Sequence, residues 1–181
     1  LVLGEALVVI TGGIDLSVGY QMSLVGVVTA MLMVVYHQPP WLAVAAGLVL
    51  GTLLGLVNGL IVSSIRIFPL IATLATAAIF QGISYLATQA MTFRGYPEEF
   101  LILTKGKLLG IPVDVVLALV VVVLATIVFN ETVYGSRLKA LGGNEEGSRL
   151  AGINVRRMKI STYTLCGLLT VLAARVLTHD Y

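Results

Sequence analysis

Charge is what this sequence has least of. Of its 181 residues only 11% are Asp, Glu, Lys or Arg, against about 25% in an ordinary soluble domain, while 58% are hydrophobic and the mean hydropathy is +1.01. That composition excludes a soluble globular fold and points to a membrane protein. The formal net charge of +2 is too small, and the basic residues too confined to one stretch, for nucleic acid to be a partner. There is one cysteine, Cys166, inside an apolar run. It excludes an intrachain disulfide and a thiolate metal cluster, and it leaves the redox compartment unread.

Catalytic motifs are missing as well. No G-x-x-x-x-G-K-[ST] occurs, and Gly142-Gly143-Asn144 lacks the Lys and Ser/Thr of a phosphate cradle, so the chain is not expected to hydrolyse ATP by itself. There is no H-E-x-x-H and no G-x-S-x-G, and His37 and His179 stand singly near the ends of apolar runs. No catalytic residue, cofactor or metal site is read. Leu1 to Ile10 has no basic region or small-residue cleavage site of a signal peptide. The chain starts inside an apolar run without Met and stops just after another, as expected of a piece of a longer protein, cut at both ends.

What is present is a succession of apolar runs. Leu1 to Ile10 reads as the end of a helix carrying Glu5, followed by Thr11 to Gly19, TGGIDLSVG, whose glycines and a cap at Asp15 or Ser17 interrupt helical continuity. Irregular backbone at membrane depth is tolerated only against protein or a water-filled cavity, which makes this stretch a candidate pathway element. Ser17 to Tyr36, Trp41 to Ser64, Phe68 to Ala87 and Val113 to Phe129 are expected as full spans, with Ile160 to Leu177 as a fifth. His37-Gln38-Pro39-Pro40 ends the first of these, and Tyr36 and Trp41 suit an interfacial belt. Gly47, Gly51, Gly55 and Gly59 lay a smooth stripe where another helix can approach closely. Arg66 marks a turn, and Pro69 opens the next helix. Thr73, Thr76, Gln81 and Ser84 are either helix–helix glue or a polar lining. Arg175 falls near the outer end of the last span, where it can snorkel.

Two segments set the sidedness. Asn130 to Lys159 holds Arg137, Lys139, Arg149, Arg156, Arg157 and Lys159, six of the eleven basic residues, and is assigned to the cytoplasm because Lys and Arg are retained there. Residues 88–112, with Arg94, Glu98, Glu99, Lys105 and Lys107, then lie outside by alternation; adding Arg66 to the inner side gives seven basic residues inside against three outside. Within the inner loop, Glu131 to Leu141 is expected as a short helix ended by Gly142-Gly143. A second begins at Asn144 as cap, with Glu145 and Glu146 in its dipole-favoured first turn. Such an element is either a lever for a cytoplasmic partner or a solvated connector. The expected fold is an all-α, polytopic helical membrane bundle, one domain over residues 1–181.

Three stretches then resemble one family: TGGIDLSVG at Thr11 to Gly19, NGLIVSSIRIFPLIATLATAAIFQGISYL at Asn58 to Leu86, and LKALGGNEEGSRLAGINVRRMKISTYTLCGLL at Leu138 to Leu169. GYPEEF at Gly95 to Phe100 and LLGIP at Leu108 to Pro112 fit as well. The family is the membrane permease subunits of bacterial ABC importers for ribose, related monosaccharides and the autoinducer-2 signal. The resemblance implies an inner-membrane permease acting with cytoplasmic ATP-binding subunits, a periplasmic sugar-binding protein and a second permease subunit. It implies ATPase coupling at Gly142, Gly143, Asn144, Glu145, Glu146 and Gly152, and a place near the translocation path for Asp15, Ser17 and Asn58. Val171 to Tyr181 departs from the family pattern. The other reading of the residues is a secondary transporter or channel with Asp15 as its ion or proton site.

Overall fold

The computed structural model describes residues 1–65, 67–89, 93, 95–97, 99–100, 106–108 and 110–177. Arg66, Arg94, Glu98, Lys105 and His179, and the side chain of Arg175, lie outside the described part, as do the last four positions of the atypical tail. The described elements are, in order, α1 Val2–Ile10, α2 Val18–Val34, α3 Pro40–Ser64, α4 Pro69–Thr88, β1 Lys107–Leu108, β2 Ile111–Pro112, α5 Val113–Glu131, α6 Val133–Gly143, α7 Glu145–Leu150 and α8 Val155–Leu177. The bundle is helical, as expected. The exception is the small antiparallel ribbon, which pairs Lys107 with Pro112 and Leu108 with Ile111 around Gly110, whose φ is +84°.

Prolines set three helix starts. Pro40 and Pro69 occupy the first turns of α3 and α4, and Pro112 immediately precedes α5, where a missing N–H costs nothing. Among the described residues, α3, α4 and α5 are long and apolar enough to cross a membrane. The expected span Ser17 to Tyr36 is shorter in the structure: α2 has 17 residues, about 26 Å of helix, because His37 turns to φ +49° and Gln38 N–H donates to Leu32 O. The last helix is longer than expected. It begins at Val155 rather than Ile160, taking Arg156 and Arg157 into its first turn and Lys159 just beyond it. Asn154 Oδ1 accepts the Arg157 N–H at 3.0 Å, so this cap outweighs the poor fit of basic residues to a helix N-terminus.

The centre of the bundle is α3 against α8, and the glycine stripe is what permits it. A Cβ at Gly51 would overlap Val171, and one at Gly55 would overlap the Tyr163 carbonyl; at Gly59 it would stand 2.9 Å from Ile160 Cα. Gly167 answers from α8, against Gly51 and Gly55. Gly47 faces Thr29 and Val25 of α2 instead. On α4, Thr76 and Ser84 are buried and donate to the helix's own carbonyls, Thr73 O and Phe80 O, whereas Gln81 is exposed. Tyr36 and Trp41 are exposed where α2 gives way to α3. Arg156 Nη2 donates to Ser64 Oγ at 3.0 Å, bringing the end of α3 level with the start of α8. Helix α5 has no buried residue and meets chiefly α6 and the ribbon.

Candidate functional site

The TGGIDLSVG stretch is the turn between α1 and α2, held inside the protein. Gly12 takes φ +73°, Gly13 N–H donates back to Val8 O, and Thr11 Oγ1 donates to the same carbonyl at 2.8 Å. Gly13 is needed for space, since a Cβ there would stand 2.6 Å from the Tyr163 hydroxyl. The far side is pinned to α4: Thr73 Oγ1 accepts Leu16 N–H and is placed to donate to Ile14 O, both at 3.2 Å.

Neither Asp15 nor Ser17 caps α2 in the expected way. Ser17 is the residue before the helix but makes no side-chain cap bond. Instead Asp15 Oδ1 accepts Ser17 N–H at 2.9 Å and Ser17 Oγ–H at 2.6 Å. Ser17 Oγ in turn accepts Gln21 Nε2 and Asn58 Nδ2, each at 2.6 Å, and Asn58 Nδ2 stands 3.4 Å from both Asp15 oxygens. Asp15 is 2% exposed and Asn58 1%, and Ser17, Gln21 and Thr73 are wholly buried. The three residues expected near a path, Asp15, Ser17 and Asn58, therefore meet in one cluster. Gln21 joins it and Tyr163 stands beside it, and both were missed; Thr73, expected as glue or a polar lining, pins the same turn to α4. The signal for Gln21 was available: an amide four residues after Ser17 in an otherwise apolar helix.

Below the turn lies the pair α6–α7. Thr132 Oγ1 caps α6 by accepting Gly135 N–H at 3.3 Å, and the helix runs through Gly142 and Gly143. The expected break at the glycine pair is thus displaced to Asn144, which is extended (φ −157°, ψ 105°) and caps α7 by accepting Gly147 N–H at 2.8 Å. Gly142 has another use: it sits on the carbonyl of Ile10, the last residue of α1, where a Cβ would overlap. Gly152 at φ +82° closes α7, with Ile153 N–H on Ser148 O and Gly152 N–H on Arg149 O, a paired turn that favours glycine. Glu145 binds Lys159 Nζ at 2.8 Å and Arg149 at 3.5 Å, whereas Glu146 is exposed. Leu138 and Leu141 of α6 pack with Val155 and Met158 of α8, and Leu7 and Ile10 of α1 close over them. Tyr134, partly buried and bonded to Ser161 Oγ at 3.0 Å, has its phenol pushed above the usual range by burial. Beside α7 a cleft of about 620 Å³ opens, lined among others by Ser63, Ile65, Glu145, Arg149, Arg156 and Lys159.

The pattern is a polar turn at bundle depth, standing directly on a surface helix pair. The family described as the branched-chain amino acid transport system permease component matches residues 1–181. The chain belongs to this permease family. Its similarity to other permeases runs nearly end to end: it is 37% identical over 97% of its length to the ribose import permease protein of Bacillus subtilis. It is 38% identical over 96% to that of Escherichia coli K12, and 36% over 92% to the L-arabinose transport system permease protein of the same strain. It covers 55%, 55% and 51% of these relatives respectively, so the chain spans about half the length of the curated relatives it matches. The permease family read from the three sequence stretches is the one these relatives belong to. No solved structure matches the chain.

Proposed function

We propose that this chain is part of the membrane subunit of an ATP-driven importer that carries a monosaccharide of the ribose type across the bacterial inner membrane. The observation that carries the reading is the near end-to-end similarity to permeases for ribose and L-arabinose. Since the chain has no phosphate cradle of its own, hydrolysis belongs to cytoplasmic ATP-binding subunits. A periplasmic sugar-binding protein delivers the cargo on the other side, where residues 88–112 lie, and a second permease subunit completes the passage.

The α6–α7 pair, within residues 130–159, is the docking element for the ATPase. Asn144 and Glu146 are exposed, the cleft beside α7 carries Arg149, Arg156 and Lys159 with Glu145, and Gly142 rests on Ile10. A push on α6 reaches the end of α1 without an intervening side chain to absorb it, and Asp15 lies five residues further on. Import requires two permease states that the ATPase contacts differently, and a rigid helix pair seated on a turn supplies such a contact. Asp15, Ser17 and Asn58 then border the path at its inner end.

The test is uptake of labelled ribose, arabinose and allose into vesicles holding the full permease with its ATPase and binding protein. Sugar uptake that depends on ATP supports the proposal. Flux driven by an ion gradient with no ATPase present contradicts it.

A further inference from the structure

The cleft of about 620 Å³ beside α7 draws on four elements: Ser63 from the end of α3, Pro69 from the start of α4, Arg149 from α7, and Arg156 and Lys159 from the start of α8. Helices α3 and α4 are both long and apolar enough to cross a membrane, and only residues 65–68 join them, so the cleft opens where these helices reach the membrane surface. Its size falls within the roughly 300–1,000 Å³ of small-molecule sites. Its charge is one-sided. Arg149, Arg156 and Lys159 line it against one acid, Glu145, which binds Lys159 at 2.8 Å and Arg149 at 3.5 Å. Arg156 gives one bond, from Nη2 to Ser64 Oγ at 3.0 Å, and the rest of its guanidinium fork is uncommitted. One carboxylate does not neutralise three cations, so the cleft attracts an anion. Apolar residues share the wall: Ile65 and Ile67 are 51% and 42% exposed, and Phe68, next in the chain, is 62% exposed.

We propose that this cleft binds the phosphate headgroup of an anionic phospholipid of the bilayer, with Arg149, Arg156 and Lys159 around the phosphate and the acyl chains leaving past Ile65, Ile67 and Phe68. Guanidinium forks match phosphate oxygens two at a time, and basic pockets between helices at the membrane surface hold anionic headgroups for this reason. An acidic side chain of a protein partner would satisfy the same cations but leave the exposed isoleucines and Phe68 unmatched at the edge of the bilayer. An amphiphile satisfies both. Bound there, the lipid bridges α7, the start of α8 and the α3–α4 connection, and Asn144 and Glu146 stay exposed. The inference rests on α3 and α4 crossing the membrane and not on the cargo or the ATPase.

The test is thermal unfolding of the purified full-length permease in detergent, with added dioleoyl-phosphatidylglycerol, dioleoyl-phosphatidylcholine or soluble glycerol phosphate at one ionic strength, which holds screening constant. Phosphatidylcholine carries the phosphate and tails without net negative charge, and glycerol phosphate carries the anion without tails. Phosphatidylglycerol should raise the midpoint saturably, as a ligand of the folded state does, and the other two much less. Arg149→Gln and Arg156→Gln should each lose most of that rise, whereas Arg157→Gln, which removes the same charge next to Arg156 but outside the lining, should keep it. Arg156→Gln also breaks the bond to Ser64 and can lower the midpoint without lipid; Arg149, exposed and held only at 3.5 Å, is the variant free of that effect. Equal rises with the two lipids, or an equal loss in Arg157→Gln, would reduce the effect to general solvation or surface charge. A full rise with glycerol phosphate would make the cleft a soluble-anion site. Retention of the lipid rise in Arg149→Gln and Arg156→Gln would exclude the headgroup, and if the ATP-binding subunits then fail to copurify, the cleft belongs to the protein partner. Each of these results overturns the proposal, and none of them bears on sugar uptake, which is measured separately.

Discussion

Gly142 of α6 lies against the carbonyl of Ile10 at the end of α1, so closely that even a methyl group would overlap it. This contact joins the surface helix pair to the turn that carries Asp15. It turns a sequence motif into a mechanical connection, and it makes Gly142 and Gly143 unequal although they are neighbours.

Gly142→Ala should push α6 away from α1, at an overpacking cost of about 1–3 kcal/mol, with loss of coupling between ATP hydrolysis and uptake. Gly143→Ala meets nothing within 4 Å, and its effect on stability should stay within about 0.5 kcal/mol. Thermal unfolding and vesicle uptake on the two variants side by side check the asymmetry.

Ser17→Ala removes the atom on which Asp15, Gln21 and Asn58 converge. The buried groups it strands should lower stability by about 1–3 kcal/mol, read as a fall in unfolding midpoint. Ser17→Thr, which keeps the hydroxyl, should recover part of the loss.

The α3–α8 contact sets a steep size limit. Gly55→Val would drive a branched side chain into the Tyr163 carbonyl and Gly167, and the protein should fail to accumulate folded in the membrane. Gly82 on α4 has open space around it, so Gly82→Ala should be neutral or stabilising by up to about 1 kcal/mol through helix propensity. Expression and unfolding of the two variants separate a packing requirement from a general need for glycine.

The glycine stripe on α3 was legible because a four-residue period survives in sequence, but its partner helix was not, since periodicity says where a helix is smooth and not what lies against it. Asp15, Ser17 and Asn58 were legible from the family pattern. Gln21 was readable by its spacing from Ser17 but was not read, whereas Tyr163 stands among Ser161, Thr162 and Thr164 with nothing to single it out, and only the fold brings it to the turn. The end of α6 was placed too early, at Leu141 rather than Gly143, because glycine is the strongest stop signal in a sequence, whereas Asn144 caps α7 as expected, by accepting Gly147 N–H. Asn154 likewise starts α8 early by capping Arg157, a role hidden by the basic residues that follow. The early end of α2 depends on the left-handed turn at His37, which composition does not reveal.

The most direct measurement is ATP-driven sugar uptake by the assembled importer in vesicles with Glu146→Lys in this subunit. Glu146 is exposed, whereas Glu145 is tied to Lys159, so reversing Glu146 alters the docking face and leaves the fold in place. If α6–α7 is where the ATPase drives the permease, uptake collapses while the unfolding midpoint is unchanged and the partner subunits still hydrolyse ATP. Uptake and its coupling ratio equal to those of the parent protein would contradict the assignment of the helix pair.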